Sequence, residues 1–229
     1  MLTRQTIRVP KLERHVHTEP YAALVLCGGY EEAGDNGRFA VTAGTVVFHD
    51  RFEAHLDRFS REGATVLNLR LTDHCDCPAG IASVADPDLV ARVAERNHGA
   101  EVELLLSQGT RWTPQPSDWP DELAARLRQD SCPSLSEWAE EKGLAPWTLS
   151  RGFAQVFGIS PEGFRARVRA RRALQRIEQT QIPLATIAVE LGFADQAHMS
   201  RSVRLLTGQG PQARRRAANG FKTAAPATV

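Results

Sequence analysis

Cysteine and long apolar segments are scarce in this chain of 229 residues. Its four cysteines do not follow the regular spacing of a secreted disulfide scaffold. No apolar stretch is long enough to cross a bilayer, and the first residues do not have the form of a signal peptide. These absences argue against the secreted and membrane-spanning classes, and we expect a protein of the reducing cytoplasm with no membrane partner.

The charged residues are distributed unevenly along the chain. Overall there are 28 Lys and Arg against 27 Asp and Glu, a net charge of +1. Residues 130–229 carry 14 against 8, a net +6, whereas residues 1–129 carry 14 against 19, a net −5. A basic surface favours binding to the phosphate backbone of DNA, while an acidic one is repelled by it. The chain is long enough for two domains, and the charge predicts different roles for its two halves.

One sequence pattern occurs twice in the basic half. Its shared positions are Ala139, Gly143, Ser150, Arg151, Gly158 and Pro161 in the first copy, and Ala188, Gly192, Ser200, Arg201, Gly208 and Pro211 in the second. A small residue followed four positions later by glycine suits two helices that cross closely through a turn with positive φ. The repeat therefore predicts two helix-turn-helix units, whose reading helices would enter successive major grooves about 34 Å apart.

Local signals within each copy support this interpretation. Ser134 and Glu137 have the spacing of a capping box, and Pro146 suits the first turn of the following helix. The apolar spacing in that helix turns one face inward and leaves the other for DNA. The predicted DNA-binding residues are Trp147, Ser150, Arg151 and Gln155 in the first unit, and Gln196, His198, Ser200 and Arg201 in the second. An isolated exposed arginine is usually only solvated, but duplicated arginines suit guanine or phosphate recognition.

Residues 132–216 resemble the DNA-binding domain of AraC-type transcription regulators. The resemblance lies in the runs GFAQVFGISPEGFRARVRARRALQRI and IPLATIAVELGFADQAHMSRSVRLLTGQGP. It implies a seven-helix domain with one helix-turn-helix at each end of a connecting helix. By position it also implies DNA contact by Trp147, Ser150 and Arg151 in the first unit and by Gln196, His198, Ser200 and Arg201 in the second. The chain departs from the family at Met199 and Val203, where larger aromatic residues are usual, and at Gln209-Gly210 before Pro211.

The acidic half has the pattern of short strands separated by turns. Asp35-Asn36-Gly37 is a strong hairpin signal between two strand-like segments, and Asp86-Pro87 predicts a helix start. The order of elements resembles family members whose sensor is a cupin barrel with a helical dimerisation segment. We therefore predict an α+β protein of two domains, with a cupin-like β-barrel before an all-α double helix-turn-helix. The predicted boundaries are 1–112 for the sensor, 113–131 for a linker with a short helix, 132–217 for the DNA-binding domain and 218–229 for a disordered tail.

Histidines are the candidate chemistry of the predicted barrel. His15 and His17 fall on one face of a strand, and His55 stands where the second cupin motif supplies a histidine. Imidazole suits divalent transition metals, so these three are candidate metal ligands. However, Tyr21 stands near the position where the first cupin motif has its carboxylate. The preferred interpretation is a degenerate site that needs no cofactor, in which His17, Tyr21, His49 and His55 line an effector pocket or satisfy hydrogen bonds at the mouth of the barrel.

Residues 73–77, Asp-His-Cys-Asp-Cys, place five metal-ligating side chains in a row. Such a polar segment is usually a turn, and Cys75 and Cys77 alone make a poor tetrahedral zinc chelate. The alternative to an ordinary turn is a metal or thiol sensor in this segment.

Taken together, these features favour a one-component transcription regulator that is not an enzyme. Its expected partners are double-stranded promoter DNA, a small-molecule effector, a second copy of the chain and the transcription machinery. The competing class is a cupin metalloenzyme, an isomerase or dioxygenase, fused to a DNA-binding domain. That alternative requires an intact metal site in the barrel.

Overall fold

A computed structural model describes residues 3–71, 80–96, 99–129 and 134–224 of the chain. The Cys75–Cys77 loop lies outside the described residues. The chain divides into two compact units, of which unit 1 contains residues 1–125 and 147–159, and unit 2 contains residues 126–146 and 160–229. Within the described residues, no helix combines the length and the apolar character that crossing a membrane requires.

The described part of unit 1 contains an eight-stranded antiparallel sheet. Its strands are β1 Thr3–Ile7, β2 Lys11–Val16, β3 Tyr21–Gly34, β4 Gly37–Thr42, β5 Thr45–His49, β6 Ala54–Arg70, β7 Gly80–Ser83 and β8 Thr110–Trp112. The order is β1-β6-β3-β5-β7-β8, while β2 also pairs with β6 and β4 with β3. Gly34 pairs with Gly37, which confirms the two-residue hairpin predicted at Asp35 and Asn36.

The long strands β3 and β6 are irregular near Gly28 and Gly63. The register shifts between Val25 and Cys27 and again between Gly28 and Tyr30. Gly28 has a φ of 74°, and a Cβ there would lie 2.1 Å from the Gly63 carbonyl oxygen. Only glycine allows the two backbones to approach this closely. Bulges of this kind bend a strand, and here each half of β3 has its own second partner, β5 or β4.

Both faces of the sheet are covered by apolar side chains. Ala22 and Leu24 of β3 belong to one core, together with residues of α1 (Pro87–Glu95) and α2 (Gly99–Ser107). Ala23 and Val25 belong to a second core on the opposite face. The alternation follows from the two-residue period of a strand. The predicted start of α1 is confirmed, since the Asp86 side chain accepts from the Leu89 N–H.

The basic half is helical after α3 (Trp119–Leu127). Its helices are α4 Leu135–Glu141, α5 Pro146–Phe157, α6 Pro161–Gln179, α7 Leu184–Glu190, α8 Gln196–Thr207 and α9 Pro211–Ala224. The predicted repeat is visible in their lengths, since α4 and α7 have 7 residues each and α5 and α8 have 12. The segment 218–229 was predicted to be a disordered tail, but α9 continues through it to Ala224.

The helix ends agree with the signals in the sequence. Ser134 and Glu137 form the predicted capping box of α4. The Asp195 side chain accepts from the His198 N–H and caps α8. The four glycines shared by the two copies all have positive φ, from 63° to 73°. They are Gly143, Gly158, Gly192 and Gly208. Each helix-ending glycine therefore adopts the left-handed conformation that the repeat predicts.

Candidate DNA-binding surface and buried histidine cluster

Helix α5 carries the first set of predicted DNA contacts. Leu149, Phe153 and Phe157 are fully buried, as their spacing predicts. The opposite face is open to solvent, and Trp147 is 69% exposed. Ser150, Arg151 and Gln155 are also exposed. The structure thus leaves the predicted residues of this helix accessible, while their contact with DNA stays a prediction.

Helix α8 carries the second set, and it is less uniform. Gln196 and Arg201 are exposed, whereas Ser200 and His198 are half-buried. The His198 ring lies edge-on to Phe193, with their centroids 5.3 Å apart. Part of the His198 surface is therefore used for packing within the domain, and Gln196 and Arg201 are the exposed members of the predicted set on α8.

Two arginines of the sheet bind the carboxyl end of α5, and all the residues concerned belong to unit 1. Arg14 Nη1 donates to the Phe157 carbonyl at 2.9 Å. Arg58 Nη2 donates to the Val156 carbonyl at 3.0 Å and also to that of Gln155. The last carbonyls of a helix lack partners within it and carry partial negative charge, so cations stabilise this end.

The same two arginines are held by carboxylates of β3 and the following turn. Arg14 pairs with Asp35, whose other oxygen accepts from the Ala54 N–H at 3.1 Å. Arg58 pairs with Glu31 at 3.1 Å. These contacts connect α5 to the strands that carry the histidines, because Arg14 precedes His15 on β2 and Arg58 lies three residues after His55 on β6.

The structure brings together the four residues predicted to line an effector pocket. Tyr21 stacks on His49, with ring centroids 4.5 Å apart, and His49 stacks on His55 at 4.5 Å. His17 lies 4.5 Å from Tyr21 and 5.3 Å from His55. His15 joins this group, since its ring centroid is 4.4 Å from that of His55, its register partner on β6. Their role in binding an effector stays a prediction.

Three buried carboxylates complete the cluster, and the sequence analysis did not include them. They are Glu32, Glu53 and Asp57, at 1%, 1% and 4% exposure. The spacing of Glu53, His55 and Asp57 at alternate positions was an available signal, because side chains two apart share one face of a strand. Glu32 had no such signal, since only the pairing of β3 with β6 brings it to the histidines.

The hydrogen bonds of the cluster fix several of its rings. The His55 Nδ1 donates to Asp57 Oδ1 at 2.9 Å, while its Nε2 lies 3.1 Å from the Tyr21 hydroxyl. The His15 Nδ1 donates to the Glu13 carbonyl at 2.8 Å. His49 Nδ1 lies 3.4 Å from Glu53 Oε1, four residues further along the chain.

Burial and neighbouring charges shift the proton affinities of these groups. Burial, together with the positive charge of His55, lowers the pKa of His17 to about 4. Burial raises the pKa of Glu32 well above its ordinary value, against the opposing effect of His55. For His55, burial acts to lower the pKa, but the charge of Glu32 and the hydrogen bond to Asp57 outweigh it, so the pKa is raised.

Three polar atoms of the cluster are buried and make no hydrogen bond in the described structure: His17 Nε2, Glu32 Oε2 and His49 Nε2. Two of them face each other, since Glu32 Oε2 lies 3.6 Å from His49 Nε2. A buried polar atom without a partner carries a desolvation cost that a bound proton, water or ion would relieve.

A cleft of about 310 Å³ adjoins the cluster at its His17 and Tyr21 side. Asn68 and Arg70 of β6 also line it. The cleft therefore gives a small molecule access to two of the four predicted pocket residues.

Comparison with known proteins identifies the helical half. A family model described as a helix-turn-helix domain matches residues 138–217. The arabinose operon regulatory protein of Escherichia coli is 34% identical over 82 residues, which is 36% of this chain and 28% of that protein. The virulence regulon transcriptional activator VirF of Yersinia enterocolitica is 32% identical over 77 residues, 34% of this chain and 28% of that protein.

Several solved structures of one protein align with nearly all of the chain. One of these structures, of ToxT from Vibrio cholerae, covers 96% of this chain and 98% of its own, at 9% identity and a TM-score of 0.42. The chain spans about 28% of the length of the two curated relatives described above.

The fold and the duplicated helix-turn-helix define a class, that of two-domain proteins in which a sheet domain is followed by helices that include two helix-turn-helix units. Within that class, residues 138–217 of this chain match the helix-turn-helix model and are similar to the corresponding part of the arabinose operon regulatory protein. The relatives that match these residues bear the names of transcription regulators.

Proposed function

We propose that this protein is a sequence-specific DNA-binding transcription regulator controlled by an effector bound in its sheet domain. The observation that carries the proposal is the duplicated helix-turn-helix, in which Arg151 of α5 and Arg201 of α8 occupy equivalent, exposed positions. Arginine recognises guanine through two parallel hydrogen bonds and also binds phosphate. The net charge of +6 over residues 130–229 supplies the sequence-independent part of the affinity.

The route from effector to DNA passes through α5 in this proposal. The arginines that bind its carboxyl end, Arg14 and Arg58, are close in sequence to His15 and His55 of the cluster. A ligand that moves β2 or β6 would alter these hydrogen bonds, and with them the position of Trp147 and Arg151. The proposal also includes a homodimer, and native mass spectrometry of the untagged protein measures both dimer mass and any retained ligand.

The decisive experiment measures binding to promoter DNA as a function of salt. We expect Arg151→Ala and Arg201→Ala each to lose about 1 to 3 kcal/mol of specific binding, as base-reading arginines do. Arg61→Ala is the matched control, because it removes the same charge from an exposed position of β6. If both arginine variants bound the specific site as tightly as the control, the proposed reading helices would be wrong.

A further inference from the structure

One carboxylate of the buried cluster, Glu32, has an oxygen that accepts no hydrogen bond in the described structure. Glu32 is 1% exposed, and its ion pairs in the described structure run to His49 and His55. Glu53 and Asp57 lie within the same group, so three carboxylates are buried beside the imidazoles. Carboxylates withdrawn from water at this depth require cations or protons to offset their charge.

Two of the three buried atoms without hydrogen bonds lie close together. These are Glu32 Oε2 and His49 Nε2, which are 3.6 Å apart. One ligand atom each from Glu32, His49 and Glu53 lies within 4.8 Å of the others, and all three residues are buried. Two ligands about 2.0 to 2.2 Å from a tetrahedral zinc ion are separated by roughly 3.3 to 3.6 Å. Their separation is too long for a hydrogen bond but suits a shared metal ion.

The histidine triad suggested by the sequence fits a metal less well. His15, His17 and His55 do bring their ligand atoms within 4.8 Å of one another. However, both ring nitrogens of His55 already have hydrogen-bonding neighbours, Asp57 and the Tyr21 hydroxyl. A metal at the triad would have to displace Tyr21, whereas one at Glu32 Oε2 and His49 Nε2 displaces neither of these contacts. Both oxygens of Glu53 already have neighbours, His49 Nδ1 at 3.4 Å and the Asp50 N–H at 3.0 Å, so Glu53 would bind the ion through a second lone pair of one of them.

We propose that Glu32, His49 and Glu53 bind a divalent transition-metal ion in the interior of the sheet domain. Mixed imidazole and carboxylate ligation suits Zn²⁺ and its neighbours in the first transition row. Three protein ligands leave a fourth position for water or another ligand. Metal binding is measured without DNA, so the result is independent of the proposed reading helices.

The test uses the full-length untagged chain, stripped with EDTA and returned to metal-free buffer. Zn²⁺ is titrated calorimetrically for stoichiometry and affinity, and Co²⁺ is titrated by visible absorption, which reports its coordination geometry. We expect one ion per chain in the wild type. Glu32→Gln and His49→Gln are expected to weaken binding more than about 100-fold, beyond the effect of losing an outer-shell partner.

Two matched controls locate the ion. The double variant His15→Gln with His17→Gln removes two imidazoles from the neighbouring triad, and we expect it to change affinity less than about 10-fold. His198→Gln removes a half-buried histidine of α8 and is expected to change nothing. Circular dichroism checks that each variant folds, and Glu53→Gln replaces His49→Gln if that variant does not.

Two outcomes would overturn the proposal. If the double histidine variant abolished binding while Glu32→Gln retained it, the ion would belong to the histidine triad. If neither Zn²⁺ nor Co²⁺ bound the wild type, protons would be neutralising the buried carboxylates and the cluster would hold no metal.

Discussion

Arg38 and Asp121 form a two-pronged ion pair although they lie 83 residues apart in the chain. Nε of Arg38 donates to Oδ1 at 3.0 Å, and Nη2 donates to Oδ2 at 2.9 Å. The side chains of Arg38 and Asp121 are only 13% and 7% exposed. This pair ties the start of α3 to β4 within unit 1, where the fork of the guanidinium matches the carboxylate.

Removing the carboxylate charge from this pair should destabilise the protein. We expect Asp121→Asn to lower the free energy of unfolding by about 2 kcal/mol, the value of a hydrogen bond to a charged group. Arg38 keeps its contact with Asp118 at 2.6 Å, which limits the loss. Urea denaturation measures the free energy of unfolding of Asp121→Asn, and Asp118→Asn serves as the control. Because Asp118 is 45% exposed, that variant should lose less than about 1 kcal/mol. Equal losses would contradict a special role for Asp121.

The pair of Arg38 and Asp121 also predicts how the free energy of unfolding depends on pH. Burial acts to raise the pKa of Asp121, but hydrogen bonds from Arg38 and Ser117 outweigh it, so the pKa lies below its ordinary value. A depressed pKa contributes stability that is present above the unfolded value, about 3.9, and is lost as the pH falls through the folded value. The stability difference between wild type and Asp121→Asn should therefore be constant above about pH 5 and shrink below about pH 4. A difference that grew on acidification would show that this sign is wrong.

Replacing Gly28 by alanine should destabilise the protein more than the same replacement at Gly143. Both have positive φ, so an alanine at either position is strained by about 1 to 2 kcal/mol. At Gly28 the added Cβ would also overlap the Gly63 carbonyl, whereas at Gly143 nothing lies within 4 Å. We expect Gly28→Ala to cost more than about 2 kcal/mol in thermal unfolding, and Gly143→Ala about 1. Similar costs at the two sites would mean that β3 and β6 can separate easily.

The second reading helix should depend on its smaller core residues. Met199 and Val203 replace the larger aromatic residues usual in the family, yet both are fully buried. We expect Met199→Ala to cost about 2 to 5 kcal/mol through the cavity it leaves. Leu205→Ala, on the same helix but at 91% exposure, should change stability by less than about 0.5 kcal/mol. Denaturant unfolding of both variants distinguishes a packed α8 core from a loose one.

The contact of Arg58 with α5 should be measurable by hydrogen exchange. Arg58→Ala removes donors from the Gln155 and Val156 carbonyls, and we expect exchange across 147–157 to accelerate about 5-fold, equivalent to about 1 kcal/mol. Arg61→Ala on the same strand provides the matched control. Unchanged exchange in Arg58→Ala would remove this arginine from the proposed route between effector and DNA.

Much of the helical half could be predicted because its signals are local. The Ser134 and Glu137 capping box involves residues three apart, and the glycines at 143 and 192 act on their own turns. The buried spacing of Leu149, Phe153 and Phe157 follows from the helical period alone. Even there, the sequence predicted the same DNA-contacting role for His198 and Arg201. In the structure, His198 packs partly against Phe193, whereas Arg201 is exposed.

The sequence by itself determined the duplicated helix-turn-helix, the hairpin at Asp35 and Asn36, and the grouping of His15 with His17, because each depends on residues within a few positions of one another. Only the tertiary structure decided which charges are buried together. Glu32 reaches His49 through the pairing of β3 with β5 and β6, and Arg58 reaches α5 across 98 residues. Contacts of such separation depend on strand register and packing, which no local pattern specifies.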